Sequence, residues 1–199
     1  VKCAALTFDD GPSDHTRRYL EILERHDAVA TFFVIGSQVA NRSGVLKKAA
    51  YQGNEIASHT WDHRALTSLT EGQIRSEVRR TAREIEKATG VRPALVRPPY
   101  GRIDGRVAGV LGSVGAAAIL WSVDTRDWEH RNGAKVLRSV ERHTQRGAIV
   151  LMHDLHSASA DALDEMIQTL EDRGYTLVTV SEILGGNPKP GKIYRAGLK

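Results

Sequence analysis

Short apolar runs alternate with amphipathic helical patterns along the whole chain of 199 residues, and this alternation limits the fold more than any other feature. Strands are predicted at residues 3–8, 29–36, 54–58, 94–96, 116–123, 148–152 and 175–178. Helices are predicted at residues 15–26, 43–52, 70–88, 103–112, 132–145, 160–172 and 180–184. Strands that alternate with helices pair in parallel, because each helix carries the chain back across the sheet. The pattern therefore predicts an α/β fold with a parallel sheet or barrel.

The helix predicted at residues 70–88 has the clearest boundaries in the sequence. Thr70 is a typical N-cap, and Gln73 follows at the spacing of a capping box. Gly90 stands just beyond the predicted end, where a left-handed residue commonly stops a helix. These local signals predict one long helix in the middle of the chain.

Length and composition, with 41% hydrophobic and 26% charged residues, fit one globular domain at residues 1–186 and a basic tail containing Pro and Gly at residues 187–199. The net charge of +4 equals the number of basic residues in that tail, namely Lys189, Lys192, Arg195 and Lys199. A tail of this kind is typically a solvated terminus. The rest of the chain is balanced in charge, so nucleic acid is not an expected partner.

Three further absences limit the class of protein. No apolar run approaches the roughly 20 residues that span a bilayer, so no membrane span is expected. No basic segment followed by an apolar one is visible at the start of this chain, so no signal peptide is predicted in it. The single cysteine, Cys3, has no partner for an internal disulfide and fits a small buried residue of the first strand.

Polar and titratable residues follow five of the predicted strands. In parallel α/β folds the carboxyl ends of the strands lie at one rim, and that rim carries the chemistry. We therefore expect one site built from Asp9, Asp10, His59, His63, residues 97–101, residues 124–128, His153 and Asp154.

His59 and His63 in HTWDH stand four residues apart, so one helical turn or one tight loop brings both imidazoles to the same ion. Thr60 follows His59 where an HExxH metalloprotease has Glu, which excludes that class. One of the paired aspartates, Asp9 or Asp10, is the natural third ligand. Two imidazoles and one carboxylate predict a site for Zn²⁺, or for Co²⁺ or Ni²⁺, that leaves room for water.

The adjacent carboxylates of TFDDGP need a break in strand geometry, because neighbouring side chains on a strand point to opposite faces. Gly11 and Pro12 supply such a break, so that one aspartate binds the metal while the other stays free as a general base. A solvated turn after the strand is the alternative interpretation of this motif.

Three more motifs supply candidate partners. Arg97, at the start of the stiff RPPYG segment, is placed to hold a carboxylate such as Asp9. His153 suits general acid chemistry if Asp124 or Asp127 raises its pKa. Three tryptophans accompany these motifs: Trp121 fits core packing, whereas the other two, Trp61 and Trp128, are predicted to line the site.

Taken in order, TFDDGP, HTWDH, RPPYG, DTRDW and LMHD closely resemble the five motifs of the polysaccharide deacetylase family, which is carbohydrate esterase family four with the nodulation-deacetylase homology domain. The resemblance extends from Leu6 to about Leu184. It implies that residues 1–186 form a polysaccharide deacetylase catalytic domain, folded as a distorted (β/α) barrel with about seven parallel strands.

The resemblance also implies a role for each motif residue. It implies that the metal ligands are Asp10, His59 and His63, and that Asp9 is the general base held by Arg97. In DTRDW the family pattern favours Asp127 over Asp124 as the partner of the general acid, His153. The remaining roles concern the substrate. The resemblance implies that the backbone N–H of Tyr100 contacts the oxyanion and that Trp128 and Leu151 form the apolar pocket for the acetyl methyl group. Tyr100 and Pro98 are also expected to bind the substrate.

The expected activity is metal-dependent removal of acetyl groups from N-acetylglucosamine units of peptidoglycan or chitin, with release of acetate. O-deacetylation, as by an acetylxylan esterase, is the alternative within the enzymes, and an inactive glycan-binding module is the alternative outside them. The resemblance implies a polysaccharide partner and an extracellular or cell-surface location, and we expect a monomer.

Overall fold

The computed structural model describes residues 1–197, and within them the chain forms one sheet of nine strands. The strands are β1 (Lys2–Asp9), β2 (Thr31–Val34), β3 (Glu55–Ser58), β4 (Leu95–Val96), β5 (Ala117–Ile119), β6 (Val123–Asp124), β7 (Ala148–His153), β8 (Tyr175–Leu177) and β9 (Ile193–Tyr194). All pairings between these strands are parallel.

Nine α-helices connect the strands of this described region. They are α1 (Thr16–Arg25), α2 (Gly36–Val39), α3 (Ser43–Tyr51), α4 (Glu71–Thr89), α5 (Gly105–Ser113), α6 (Asp127–His130), α7 (Gly133–His143), α8 (Ser157–Asp172) and α9 (Val180–Ile183). Short 3₁₀ turns occur at Ala40–Arg42, Leu66–Ser68 and Pro99–Gly101. The seven predicted helices are all present, and the two that were not predicted, α2 and α6, have four residues each.

The strands follow the order β6-β7-β1-β2-β3-β4-β5-β9, and β8 pairs with the first residues of β1. This arrangement confirms the predicted α/β fold with the parallel strands of a distorted barrel. The run predicted as one strand at 116–123 divides into β5 and β6, because its two halves have different partners. β5 pairs with β4, whereas β6 pairs with β7, so the residues between them carry the chain from one end of the sheet to the other.

The C-terminal segment adds β9 to the sheet. Ile193 and Tyr194 pair with β5, and Ala196 forms an antiparallel bridge with Ala148 at the start of β7. Nothing in the composition of the predicted basic tail indicated this pairing. The last two residues of that tail, Leu198 and Lys199, lie outside the described residues.

Alternation along β1 decides which side chains face the barrel interior. Ala4, Leu6 and Phe8 join the large apolar cluster beneath the outer helices, whereas Ala5 belongs to the cluster inside the barrel. Because side chains two residues apart share a face, Asp9 lies on the same inner face as Ala5. The strand pattern thus directs this carboxylate inward at the rim of the barrel.

Helix α4 begins and ends where its sequence signals predict. Thr70 and Gln73 form the reciprocal capping box, and Gly90 ends the helix in the left-handed conformation with a φ of 79°. A further cluster, which includes Ile74 and Val78 of α4, packs this helix against α5. In the described part of the chain, no helix combines the length and the apolar character that crossing a membrane requires.

Candidate metal and catalytic site

Asp9 and Asp10, at the end of β1, both face the imidazole of His59. The Nε2 atom of His59 lies 3.6 Å from Oδ2 of Asp9 and 3.3 Å from Oδ1 of Asp10. Asp10 achieves this by leaving strand geometry, with a φ of 72°. Aspartate tolerates the left-handed region better than most residues, because its short polar side chain bonds locally.

The break that the sequence interpretation assigned to Gly11 and Pro12 begins one residue earlier, because Asp10 itself is left-handed. Gly11 is needed for space, since a Cβ atom there would lie 2.5 Å from both carboxylate oxygens of Asp154. Asp154 is fully buried, and it accepts a hydrogen bond from the hydroxyl of Thr16. Burial, with a smaller contribution from Asp10 and Asp9, raises the pKa of Asp154 to about 7.

His59 and His63 occupy a tight loop after β3, not a helix. His59 is buried, and its Nδ1–H donates a hydrogen bond to the carbonyl of Arg97 at 2.7 Å, which leaves Nε2 free as a ligand. Thr60 and His63 have φ values of 71° and 63°, so the loop turns sharply enough to return the second imidazole to the first. The two rings lie 4.8 Å apart between their centroids.

Asp10, His59 and His63 each offer one ligand atom, and these atoms all lie within 4.8 Å of one another. Oδ1 of Asp10 is buried and accepts no hydrogen bond, although Nε2 of His63 lies only 3.2 Å away and Nε2 of His59 3.3 Å away. A buried carboxylate oxygen facing two imidazole nitrogens is an unsatisfied arrangement that a divalent cation would complete. These residues therefore fit a metal site.

The pKa shifts of the ligands favour the protonation states that metal binding requires. Burial alone would raise the pKa of Asp10, but close contact with His59 and the charges of the neighbouring imidazoles outweigh it and lower the pKa. Burial, followed by the charge of His59, lowers the pKa of His63. The site thus favours an ionised carboxylate and a neutral imidazole.

Arg97 is fully buried and fixes the second carboxylate. Its Nη1 donates hydrogen bonds at 2.7 Å to Oδ1 of Asp9 and to the hydroxyl oxygen of Thr7. Its Nε and Nη2 donate to the carbonyls of Ile119 and Leu120 at 3.3 and 3.1 Å. The guanidinium is therefore satisfied on all sides, and Oδ2 of Asp9 remains directed toward His59.

Across the rim, His153 at the end of β7 pairs with Asp127 at the start of α6. The Nδ1–H of His153 donates to Oδ1 of Asp127 at 2.8 Å, and its backbone N–H donates to Oδ2 at 2.8 Å. Asp124 is exposed and instead accepts the backbone N–H of Arg126. Burial lowers the pKa of His153, but the bond to Asp127 and the nearby negative charges outweigh it and raise the pKa to about 9.

A cleft of about 420 Å³ opens between the metal-site residues and His153. The apolar part of its lining consists of Pro98, Tyr100, Trp121, Trp128 and Leu151. The cleft thus has a polar floor of carboxylates and imidazoles beneath apolar walls. The four substrate residues implied by the family resemblance all lie on this lining, namely Pro98, Tyr100, Trp128 and Leu151.

Two of the lining aromatic residues are unusually exposed. Tyr100 is 64% exposed and Trp128 is 52% exposed. The Tyr100 ring packs against His63 with centroids 4.8 Å apart, and its backbone has a φ of 62°. The stiff RPPYG segment therefore ends in a left-handed residue beside the candidate metal ligands.

The sequence interpretation was wrong for one tryptophan and incomplete for another. Trp121, expected in the core, packs against the apolar cluster inside the barrel and also lines the cleft, whereas Trp61 is not among the lining residues in the described part of the chain. Trp61 instead packs beneath Arg80, whose guanidinium carbon lies 3.6 Å from the ring centroid. Spacing in the sequence carried no signal that would separate these two environments.

Three supporting residues have no sequence signal at all. Thr7 accepts a hydrogen bond from Arg97, and Ser159 donates one to Oδ2 of Asp127 at 3.3 Å. Glu77 of α4 is buried and accepts hydrogen bonds from the loop that carries His63. Each is one ordinary polar residue within a regular element, so only the folded contacts identify it.

Residues 1–119 match the sequence model of the family described as polysaccharide deacetylase. Because the match covers more than half of the chain, the chain belongs to the polysaccharide deacetylase family. The site described above therefore lies in the fold of that family, and residues of all five segments singled out in the sequence line one cleft.

Particular relatives are similar over nearly the whole chain. The peptidoglycan-N-acetylglucosamine deacetylase PgdA of Listeria monocytogenes is 41% identical over 97% of this chain, and the peptidoglycan-N-acetylmuramic acid deacetylase PdaC of Bacillus subtilis is 41% identical over 92%. The chain spans only 41% and 38% of the length of these two proteins. The solved structure of T48 deacetylase with substrate has a TM-score of 0.93 and 42% identity, covering 97% of this chain and 96% of that one.

Proposed function

We propose that this protein is a metal-dependent hydrolase that removes N-acetyl groups from N-acetylglucosamine units of a polysaccharide and releases acetate. One observation carries the proposal. A buried carboxylate, Asp9, and an imidazole bound to Asp127, that of His153, line the same cleft as the Asp10, His59 and His63 triad. Hydrolysis of an amide needs a base for the attacking water and an acid for the leaving nitrogen, and this cleft holds both.

Peptidoglycan and chitin are the proposed substrate polymers. The relatives named as peptidoglycan deacetylases are 41% identical to this chain, and a chitin deacetylase of Cryptococcus neoformans is 33% identical. Both polymers contain N-acetylglucosamine, so one acetamide-binding cleft serves either. The proposal accordingly places the protein at the cell surface or outside the cell, acting as a monomer on a glycan partner.

Zn²⁺ is the proposed ion, with Co²⁺ or Ni²⁺ as substitutes, held by Asp10, His59 and His63. One carboxylate and two imidazoles are a ligand set that zinc accepts while keeping a position open for water. When bound, such an ion polarises the acetyl carbonyl and makes a water molecule more acidic.

Asp9 is the proposed general base. Its Oδ1 is bound by Arg97, so Oδ2 is the oxygen left to take a proton from the water that attacks the acetyl carbon. Arg97 holds Asp9 in place through a hydrogen bond between two charged groups at 2.7 Å. The backbone N–H of Tyr100 then stabilises the negative charge that develops on the carbonyl oxygen.

His153 is the proposed general acid. Its Nδ1–H is bound to Asp127, so Nε2–H is the group available to protonate the leaving nitrogen. An amine leaves slowly unless it is protonated, so this proton is needed for the C–N bond to break. The products are acetate and a free glucosamine unit.

The apolar lining is proposed to select the acetyl group. Trp128 and Leu151 would surround its methyl, and Pro98 with the exposed ring of Tyr100 would contact the sugar. A methyl group gains by burial against such surfaces, whereas a charged or larger acyl group does not fit as well.

The test is acetate release from chitooligosaccharides, peptidoglycan and acetylated xylan, each measured with and without a chelator. We expect release from at least one N-acetylated polymer, loss of release with the chelator, and recovery when Zn²⁺ or Co²⁺ is added. Release from acetylated xylan alone would contradict the N-deacetylase proposal in favour of an O-deacetylase. Glycan binding without acetate release from any polymer would contradict an enzymatic function.

A further inference from the structure

Glu77 lies buried on the inner face of α4, although carboxylates are seldom buried without partners. Its Oε2 accepts the backbone N–H groups of Trp61 at 2.8 Å and Asp62 at 3.3 Å. Its Oε1 accepts from Nη2 of Arg64 at 2.7 Å. Two backbone N–H groups and one guanidinium within residues 61–64 are therefore held by one carboxylate of a neighbouring helix.

The same loop is held on its other side by the start of α2. The N–H of Gly36 donates to the carbonyl of Thr60 at 2.9 Å, and the N–H of Ser37 donates to the carbonyl of Trp61 at 3.0 Å. The peptide groups in the middle of the loop thus donate toward α4 and accept from α2. Losing either set of bonds would leave partly buried backbone groups without protein partners, which destabilises this path of the loop.

The two histidines differ in how they depend on this loop. His59 is fixed beside β3 by the bond from its own N–H to Val34 at 2.8 Å and by its side-chain bond to Arg97. His63 comes after the loop has turned, and its backbone has a φ of 63°. The position of His63 therefore follows from the path of the loop, which Glu77 fixes.

We propose that Glu77 is a positioning residue that holds the loop between β3 and Arg64 so that His63 meets Asp10 and His59 in ligand geometry. This inference rests on the metal site of the proposed function. It adds to that site a residue outside the five motifs, which acts through backbone N–H groups and does not touch the ion or the substrate.

The test compares zinc affinity, measured by competition with a chromogenic chelator, in three variants. Glu77→Met keeps the length of the side chain but removes both acceptors, and we expect about 10–100-fold weaker zinc binding. Glu77→Gln should stay within about threefold of the unaltered protein, because one amide oxygen can accept both loop N–H groups as Oε2 does. Glu86→Met, on the exposed face of the same helix, is the matched control and should leave zinc affinity unchanged.

A second measurement needs no metal. In the metal-free protein, hydrogen exchange of the Trp61 and Asp62 amides should be faster in Glu77→Met than in Glu77→Gln and Glu86→Met. Unchanged zinc affinity and unchanged exchange in Glu77→Met would overturn the role of Glu77, provided that the unaltered protein binds zinc. Failure of the unaltered protein itself to bind zinc would instead overturn the proposed metal site.

Discussion

Two buried carboxylates, Asp9 and Asp127, each bind one basic side chain at the rim of the barrel, but the two pairs differ in which member can exchange a proton. Asp9 is bound by Arg97 at 2.7 Å, and Asp127 is bound by His153 at 2.8 Å. An arginine does not lose its proton in a protein, whereas a histidine does so near neutral pH. Only the carboxylate can exchange a proton in the first pair, while the imidazole is suited to do so in the second.

The surroundings of each pair support the same distinction. Arg97 and Asp127 are both fully buried, and each makes further hydrogen bonds with groups outside its pair. Arg97 donates to two backbone carbonyls, and Asp127 accepts from the backbone N–H of Trp128. Asp9 and His153 each keep one atom, Oδ2 or Nε2, directed into the cleft. In each pair, the member that is held in place, Arg97 or Asp127, is the one whose hydrogen-bonding groups are occupied by other parts of the protein.

The largest effect is expected from Arg97→Met. Removing one member of a buried ion pair leaves an uncompensated charge on Asp9, which we expect to lower the free energy of unfolding by about 3–5 kcal/mol. Acetate release should be lost as well, because Asp9 would no longer be held in place by its bond to Arg97. Urea unfolding measures the first effect.

Arg92→Met, which removes only an exposed ion pair with Glu86, is the control and should change stability little. Equal stability losses in the two variants would contradict the assigned role of Arg97.

His153→Ala tests the second pair directly. Loss of a general acid should lower kcat by about 10²–10⁴-fold. Zinc affinity should stay close to that of the unaltered protein, since His153 is not among the three candidate ligands. His63→Ala is the matched comparison, and it should lose zinc binding together with activity. Equal loss of zinc in both variants would show that the roles of the two histidines have been assigned wrongly.

The sequence predicts most of the fold because its signals are local. Apolar runs and helical periodicity located every helix longer than four residues, and the capping box at Thr70 located the start of α4. The division of the run at 116–123 and the pairing of β9 were not predictable in this way. Both depend on which distant strand lies alongside, and such partners leave no periodic pattern in the segment itself.

The candidate site is predictable to a similar degree and for a related reason. Its motif residues stand at the ends of strands, and parallel pairing necessarily brings those ends together. Three details were not predictable: that Trp121 lines the cleft as well as packing against the core, that Trp61 lies outside the cleft, and that Glu77 supports the loop. These depend on the direction in which a side chain leaves its element and on packing between elements.

Asp127→Asn should have a smaller effect than His153→Ala and should change the pH dependence. Asp127 raises the pKa of His153 to about 9, so the acid form persists up to about that pH and is lost as the pH rises through it. Without the negative charge, the alkaline fall in kcat should move to lower pH. The lost bond to a charged group corresponds to about 1.5–3 kcal/mol, or roughly 10–100-fold in rate. A kcat profile between pH 6 and pH 10 measures both, and an unmoved alkaline limb would contradict the pairing.

Ser159→Ala should have the smallest effect, and its sign is opposite to that of Asp127→Asn. The hydroxyl of Ser159 donates to Oδ2 of Asp127 at 3.3 Å and shares the negative charge that faces His153. Without this donor the carboxylate attracts the imidazolium more strongly, so the alkaline limb should stay in place or move to higher pH. The change in kcat should be under about tenfold, since one such bond contributes about 0.5–1.5 kcal/mol. Ser157→Ala, at the exposed start of the same helix, is the control. A limb that moves to lower pH in Ser159→Ala would show that Asp127 does not act on His153 through its charge.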